Sequence, residues 1–257
     1  WYFTGWGGMR PFCTWWGGGP HIGGPYAGGG YYAPGKGRGE LCEEMETYVK
    51  QGFGAVKMKV GWPGVTLKED AERVRVVREA IGADVALMID ANNAWDAHTA
   101  IRFGRMIEAY DPYWYEEPVR PDDLEGSALV AQALDYPVAS GENEATRWGF
   151  RDLIERGGVR VVQADPSSCG GISEWMKIAA MASAHHLQMA PHGQGALGCV
   201  VVAAVDNGLV VENYFRNFST DMVGGLEFVD GYVIMGDAPG LGIEWNEELI
   251  EKNGETF

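Results

Sequence analysis

The sequence predicts an α/β fold in which short parallel strands alternate with amphipathic helices. Short apolar runs recur along the chain, and a segment with helical periodicity separates each run from the next. The runs are apolar throughout rather than alternating, which is typical of parallel strands covered on both faces. The length of 257 residues suits one barrel of eight such units. Together these observations predict a TIM-type (β/α)7β barrel.

The individual elements follow from the same patterns in chain order. Strands are predicted at residues 55–60, 85–89, 113–115, 137–140, 159–162, 187–190 and 209–211, with an eighth near 25–32. Helices are predicted at residues 40–51, 68–81, 97–109, 122–134, 148–156, 173–184 and 195–205. An open doubly wound sheet is the alternative, but no G-x-G-x-x-G motif follows a strand. The barrel is therefore favoured.

The two ends of the chain differ from this regular middle. Residues 1–24 are rich in Gly and Trp and have little periodicity, whereas residues 25–218 hold the barrel pattern. In residues 219–257 the stretch 225–236 is typical of a hairpin and is followed by a Pro/Gly loop. We therefore expect a barrel domain with a short N-terminal segment and a C-terminal segment that packs outside it.

Composition excludes several classes of function. With 36 acidic against 20 basic residues the net charge is −16, which disfavours nucleic-acid and anionic-membrane partners. Four widely spaced cysteines form no C-x-x-C pair, so a zinc ribbon or a secreted disulfide framework is disfavoured. No uninterrupted apolar run of membrane-spanning length and no signal peptide are present in this sequence. We expect a cytoplasmic protein.

Polar or charged side chains come directly after each apolar run. Successive positions are separated by 20 to 31 residues, about one strand–helix repeat. Each therefore falls at the carboxyl end of its strand, where the active sites of such barrels lie. The residues are Lys57 with Lys59, Asp90 with Asn92, Glu116, Glu142, Asp165, His192 and Glu212. A carboxylate there can also cap the next helix, but capping does not explain a whole ring with lysines and a histidine.

Three of these groups suggest a metal site. Asp90, Glu116 and Glu142 follow three consecutive strands, and three converging carboxylates would repel one another. A divalent cation removes that repulsion, and an all-oxygen donor set suits Mg²⁺ better than Zn²⁺ or Cu²⁺, with Mn²⁺ as a substitute.

Proton-transfer groups flank the carboxylates. Lys57 and Lys59 share one face of their strand, and we expect two close ammonium groups to lower each other's pKa. Asp165 and His192 follow adjacent strands, where a carboxylate can fix the tautomer of the imidazole and raise its basicity.

This ordered constellation resembles the enolase superfamily and, within it, the mandelate racemase subgroup. The motifs that carry the resemblance, from about residue 25 to residue 250, are Lys57-Met58-Lys59, Asp90-Ala91-Asn92, Glu116-Glu117-Pro118, Gly141-Glu142-Asn143, Asp165 with Gly170-Gly171, Pro191-His192 and Glu212. Subgroups with a lysine after the sixth strand fit less well, because this chain has Asp165-Pro166-Ser167-Ser168 there.

The resemblance implies roles for the site residues. Asp90, Glu116 and Glu142 would bind Mg²⁺, and Lys59 and His192 would act as opposed acid/base groups. Asp165 would pair with His192, while Lys57, Asn92 and Glu212 would contact the substrate, a small-molecule carboxylate. The implied chemistry removes the proton α to that carboxylate through an ene-diolate. Dehydration of a sugar acid to a 2-keto-3-deoxy acid is expected, with racemisation or epimerisation of a 2-hydroxy acid as the alternative.

The sequence also departs from the family pattern. The resemblance implies a capping domain before the barrel, but here only residues 1–24 resemble its end, so we expect that domain to be largely missing from this chain. An inactive metal-binding barrel is therefore a second alternative. A glycoside hydrolase that uses Glu116 or Glu117 with Glu142 is a third, but it leaves the lysines and the Asp165–His192 pair without a role. We also expect a homo-oligomer.

Overall fold

The computed structural model describes residues 24–193, 195–214, 222–223, 226–229, 232–235 and 244–253. Eight parallel strands form one sheet: β1 (Tyr26–Gly29), β2 (Ala55–Lys59), β3 (Ala86–Asp90), β4 (Pro112–Glu116), β5 (Val138–Ser140), β6 (Val161–Val162), β7 (Gln188–Met189) and β8 (Glu212–Tyr214). Seven helices connect them: α1 (Arg38–Lys50), α2 (Leu67–Ile81), α3 (Ala97–Ile107), α4 (Leu124–Ala133), α5 (Thr146–Arg156), α6 (Ile172–Ala184) and α7 (Gly195–Ala203). The (β/α)7β order predicted from the sequence is confirmed.

The sheet curls until its two ends meet. Its strand order is β7-β6-β5-β4-β3-β2-β1-β8, so the last barrel strand, β8, pairs with the first, β1. On the other side, the Met189 amide donates to the carbonyl of Asn207 at 2.8 Å, and Met189 accepts from the Leu209 amide at 2.8 Å. The segment that leads into β8 thus pairs with β7 and joins the two edges.

Local sequence explains where several helices begin. Thr66 and Glu69 form a reciprocal capping box at the start of α2. Asp96 accepts the Thr99 amide before α3, and Asp123 accepts the Gly126 amide before α4. Because each cap satisfies an otherwise unpaired amide, it fixes the residue at which the helix begins. It thereby also fixes where the loop from the preceding strand ends.

Two apolar layers hold the barrel together. A large layer lies between the sheet and the surrounding helices and includes Val56, Leu87, Phe103 and Ile178. A smaller layer fills the barrel interior. Its members are Tyr26, Ala55, Met88, Trp114, Ala139, Val161, Ala190 and Val210. This inner layer closes the barrel below the site, so access to the polar groups is from the carboxyl ends of the strands.

Some predicted boundaries were wrong. The last barrel strand was expected at 209–211, but β8 runs from Glu212 to Tyr214, because pairing with β1 begins where Tyr26 meets Glu212. Strands β6 and β7 are two residues long rather than four. The apolar run marks what is buried, whereas the strand bounds depend on hydrogen bonds that the run does not specify.

The C-terminal segment forms small elements of its own: β9 (Met222–Val223), β10 (Leu226–Val229), β11 (Tyr232–Met235), β12 (Glu244–Trp245) and α8 (Glu247–Asn253). The predicted hairpin is confirmed, since β10 and β11 pair antiparallel. The expected N-terminal segment 1–24 lies outside the described residues except for its last one. Within the described ranges, no helix is both long and apolar enough to cross a membrane.

Candidate active site

The strands present charged side chains in a layer directly above the inner apolar one. In β2, Ala55 belongs to the inner apolar layer, and Lys57 and Lys59 continue the same inward face in steps of two residues. The same spacing recurs around the barrel in the pairs Met88/Asp90, Trp114/Glu116, Val161/Gln163, Ala190/His192 and Val210/Glu212. The two-residue periodicity of the sequence thus places both the inner apolar layer of the barrel and the polar site above it.

Lys57 lies at the centre of a buried charge cluster. Its Nζ pairs with Glu116 Oε1, lies 2.7 Å from Glu212 Oε1 and lies 3.3 Å from Asp90 Oδ2. All four side chains are buried. Burial acts to lower the pKa of Lys57, but attraction to Glu116 and Glu212 outweighs it and holds the pKa well above the ordinary value. Lys57 is therefore a fixed positive charge.

The expected depression of a lysine pKa is wrong for this pair. The Lys59 Nζ lies 2.5 Å from Asp90 Oδ2. Burial and the neighbouring Lys57 lower the pKa of Lys59, yet the attraction of Asp90 raises it above the ordinary value overall. The prediction considered only the repulsion between the two lysines. It did not include Asp90, which the next strand, β3, places against both of them.

Asp90 and Glu116 are register partners on the neighbouring strands β3 and β4, and both carboxylates approach the Lys57 ammonium group. Burial and the charge of Asp90 raise the pKa of Glu116 well above its usual range. Burial also acts on Asp90, but Lys57 and Lys59 outweigh it, and its pKa is lowered. Trp114 Nε1 and Gln163 Nε2 donate to Glu116 Oε2 at 3.0 and 2.7 Å. Two buried carboxyls on neighbouring strands are an arrangement that a divalent cation would stabilise.

Glu142 lies at the more open side of the site. Its Oε1 accepts from Asn92 Nδ2 at 3.3 Å, and its Oε2 lies 3.6 Å from His192 Nε2. As the described side chains lie, no three His, Cys, Asp or Glu groups converge tightly enough to hold an ion. The predicted trio is thus brought to one rim, with Asp90 and Glu116 side by side on β3 and β4 and Glu142 facing the histidine instead.

The donor chemistry nevertheless fits a hard divalent cation. Asp90, Glu116, Glu142 and Glu212 supply carboxylate oxygens, and only two ammonium groups, Lys57 and Lys59, compensate them within the cluster. Burial and the neighbouring negative charge of Asp90 together raise the pKa of Glu116. Oxygen-only donors with surplus negative charge match the preference of Mg²⁺.

The structure brings His192 and Asp165 together on the flank opposite the lysines. His192 Nδ1 lies 3.0 Å from Asp165 Oδ2, and the amides of Ser167 and Ser168 donate to Asp165 Oδ1. Burial lowers the pKa of His192, but the hydrogen bond to Asp165 and the charge of Glu142 raise it above the ordinary value overall. The Asp165 bond at Nδ1 leaves Nε2 directed at Glu142, toward the centre of the site.

Sequence reasoning did not include Gln163 in this layer, and it considered Glu117 only as an acid of the alternative glycoside hydrolase. Gln163, buried beside Glu116, lies two residues before Asp165, and this spacing was the available signal. Glu117 is buried and accepts from Asn93 and Asn143 at 2.7 Å each. Burial and Glu142 raise the pKa of Glu117 to about 7. Because side chains alternate along a strand, Glu117 is expected to point to the other face of the sheet from Glu116. Only the nearby asparagines indicated that Glu117 could join the site.

Comparison with known proteins assigns the chain to a family. A family model described as enolase C-terminal domain-like matches residues 40–249. The chain therefore belongs to the enolase C-terminal domain-like family, and the resemblance seen in the sequence is confirmed.

Similar proteins include acid-sugar dehydratases and cycloisomerases. Arabinonate dehydratase from Saccharolobus solfataricus is 35% identical over 230 residues, covering 87% of this chain and 61% of the relative. The 3,6-anhydro-alpha-L-galactonate cycloisomerase of Streptomyces coelicolor is 34% identical over 211 residues, covering 82% and 58%. The chain thus spans about three fifths of the length of these relatives.

A solved structure extends the comparison to ligands. A variant of L-talarate/galactarate dehydratase, crystallised with Mg and L-glucarate, aligns with a TM-score of 0.82 and 33% identity. The alignment covers 89% of this chain and 57% of that one. A related barrel therefore holds magnesium together with an acid sugar.

Proposed function

We propose that this chain is the barrel of an acid-sugar dehydratase, which removes water from a sugar acid to give a 2-keto-3-deoxy acid. The observation that carries the proposal is the pair of opposed acid/base groups. Lys59 lies against Asp90 on one flank of the carboxylates, and His192 lies against Glu142 on the other. A substrate bound between them would meet one proton-transfer group on each face.

Asp90, Glu116 and Glu142 are the proposed ligands of Mg²⁺, with Mn²⁺ as a substitute. Glu142 must turn from His192 toward the other two carboxylates to complete the set. A bound Mg²⁺ would supply Lewis-acid stabilisation of the negative charge that develops on the substrate carboxylate. Lys57 and Glu212 are proposed to border that carboxylate, with Asn92 at the edge of the site.

The proton transfers are assigned to side chains of this chain. One of the two opposed groups takes the proton α to the carboxylate, and the buried Lys57 charge stabilises the negative charge that results. His192 then donates a proton to the β-hydroxyl, which leaves as water, and the enol product becomes the 2-keto acid. Asp165 holds the imidazole in the tautomer needed for this donation.

The direct test is to incubate the chain with Mg²⁺ and a panel of aldonic and aldaric acids. We expect formation of 2-keto acid from at least one of them, and exchange of the α-proton in heavy water. Absence of product from every acid, together with absence of exchange, would overturn the proposal.

Isomerisation is the second candidate, favoured by the similarity to a cycloisomerase. The same abstraction followed by proton return from the far face would give racemisation or epimerisation of a 2-hydroxy acid. In that case the panel shows exchange and a changed stereocentre without 2-keto acid. A cytoplasmic location and a homo-oligomeric assembly stay predictions.

A further inference from the structure

Glu117 is a buried carboxylate to which the proposed chemistry gives no role. It is the second acid of Glu116-Glu117-Pro118 and is 1% exposed. Its backbone φ of 42° lies in the left-handed region that non-glycine residues seldom adopt. Such strain persists only where the surrounding contacts impose it.

Those contacts join the loop that holds Glu117 to the loops that follow the two neighbouring strands. Glu117 itself follows β4. From the loop after β3, Asn93 Nδ2 and Asn92 Nδ2 donate to Glu117 Oε2 at 2.7 and 3.3 Å. From the loop after β5, Asn143 Nδ2 donates to Glu117 Oε1 at 2.7 Å. The backbone joins in, because the Asn93 amide donates to the Glu117 carbonyl at 2.8 Å.

Each of these loops begins beside, or contains, one of the three carboxylates assigned to the metal. Asp90 lies two residues before Asn92, Glu116 directly precedes Glu117, and Glu142 directly precedes Asn143. One side chain is thus hydrogen-bonded to both neighbouring loops at the point where their carboxylates emerge. Any shift of one loop against another would have to break a bond to Glu117.

A carboxylate suits this task better than other side chains. An ionised carboxylate only accepts hydrogen bonds, and it offers several lone-pair sites on two oxygens. Three amide NH₂ donors from two directions can therefore be satisfied by one group. A neutral amide would present a donor to one of the asparagines, and an apolar residue would leave all three without this partner.

We propose that Glu117 is a positioning residue that sets the spacing of Asp90, Glu116 and Glu142 for a divalent cation. The inference rests on the proposed function, since it assumes that these three carboxylates share the ion. It assigns Glu117 no contact with the metal or the substrate. Groups that orient metal ligands in this way are worth about 10- to 100-fold in metal affinity.

The test is calorimetric titration of the full 257-residue chain with Mg²⁺, at a temperature well below the melting point of every variant. We expect Glu117→Ala to weaken Mg²⁺ binding by about 10- to 100-fold. Asn143→Ala removes one link by changing an exposed neutral side chain, so it should fold, and we expect a loss of about threefold to tenfold.

Two further variants separate positioning from charge. In Glu117→Gln the side-chain length is kept, and the exposed Asn143 can turn its amide to meet the new donor, so we expect a clearly smaller loss than in Glu117→Ala. Glu144→Gln removes a charge from the same loop as Asn143 but leaves the acceptor for the Ala145 amide, and it should stay within about twofold of wild type.

The outcomes are distinct. A lower melting temperature with unchanged Mg²⁺ affinity in Glu117→Ala and Asn143→Ala would make Glu117 merely structural and overturn the inference. Equal losses in Glu117→Gln and Glu117→Ala would assign the effect to charge and overturn it as well. A wild-type chain that binds no Mg²⁺ would overturn the proposed function together with the inference, whereas wild-type binding with unaffected variants would overturn the inference alone.

Discussion

The two flanks of the site are built from the same kinds of groups but differ in their access to water. On the lysine flank, the Lys57 side chain is 2% exposed and its three carboxylate partners are fully buried. On the histidine flank, His192 is 29% exposed, with Glu142 at 14% and Asp165 at 5%. Each flank pairs a cationic or basic side chain with carboxylates, but the Lys57 cluster is closed to solvent, whereas Lys59 (16% exposed) and His192 are not.

This difference in burial separates a fixed charge from a group that exchanges protons. Attraction to Glu116 and Glu212 outweighs burial at Lys57, so its pKa is held well above the ordinary value and it stays charged at neutral pH. The pKa of His192 is raised above its ordinary value of 6.5, and its ring keeps contact with water. The buried Lys57 is thus suited to stabilise charge, and the more exposed His192 to transfer protons.

Removal of the fixed charge should have the largest effect on stability. Lys57→Met leaves Asp90, Glu116 and Glu212 without their shared cation, and breaking such a buried cluster costs about 3 to 5 kcal/mol. The free energy of unfolding of the metal-free protein, measured with urea, should fall by about that amount.

A matched control is Lys50→Met, which breaks an exposed pair with Glu46. Its effect should stay within about 1 kcal/mol. If the two variants unfold at the same urea concentration, the buried charge cluster around Lys57 does not stabilise the fold as expected.

The exposed flank should govern the fate of the proton rather than the fold. We expect His192→Asn to reduce formation of 2-keto acid by at least about 100-fold, because the donor to the leaving hydroxyl is lost. Exchange of the α-proton that depends on Lys59 should persist, as measured by NMR in heavy water. Wild-type rates of dehydration in this variant would assign that donation to another group.

A smaller effect, on the pKa of His192, should follow when the orienting carboxylate of Asp165 is neutralised. The hydrogen bond from Asp165 acts to raise the pKa of His192 against the opposing effect of burial. Asp165→Asn should therefore lower the pKa of His192, which NMR titration of the ring protons measures.

The smallest expected effect is on the pH dependence of stability. Because folding raises the pKa of His192, its contribution is fully present below its unfolded pKa and is lost as the pH rises through the folded value. Replacing His192 by Asn should thus reduce the free energy of unfolding more at about pH 5.5 than at about pH 9. A larger reduction at the higher pH would contradict the direction given for this pKa.

Much of this site could be predicted because it follows from a two-residue step continued past each buried strand. That step brings Lys57, Asp90, Glu116 and Glu212 into one cluster, as expected. It does not reveal how strongly each group is paired, which is why the direction of the Lys59 pKa was wrong. It also fails for Glu117, whose left-handed backbone and links to neighbouring loops depend on tertiary contacts rather than on strand alternation.

The most direct measurement is a crystal structure of the chain grown with Mn²⁺ and recorded at the manganese absorption edge. We expect one anomalous peak at the carboxyl ends of β3, β4 and β5, with Asp90, Glu116 and Glu142 as its protein ligands. A peak elsewhere, or no peak with Glu142 still turned to His192, would contradict the claim that these three carboxylates form one metal site.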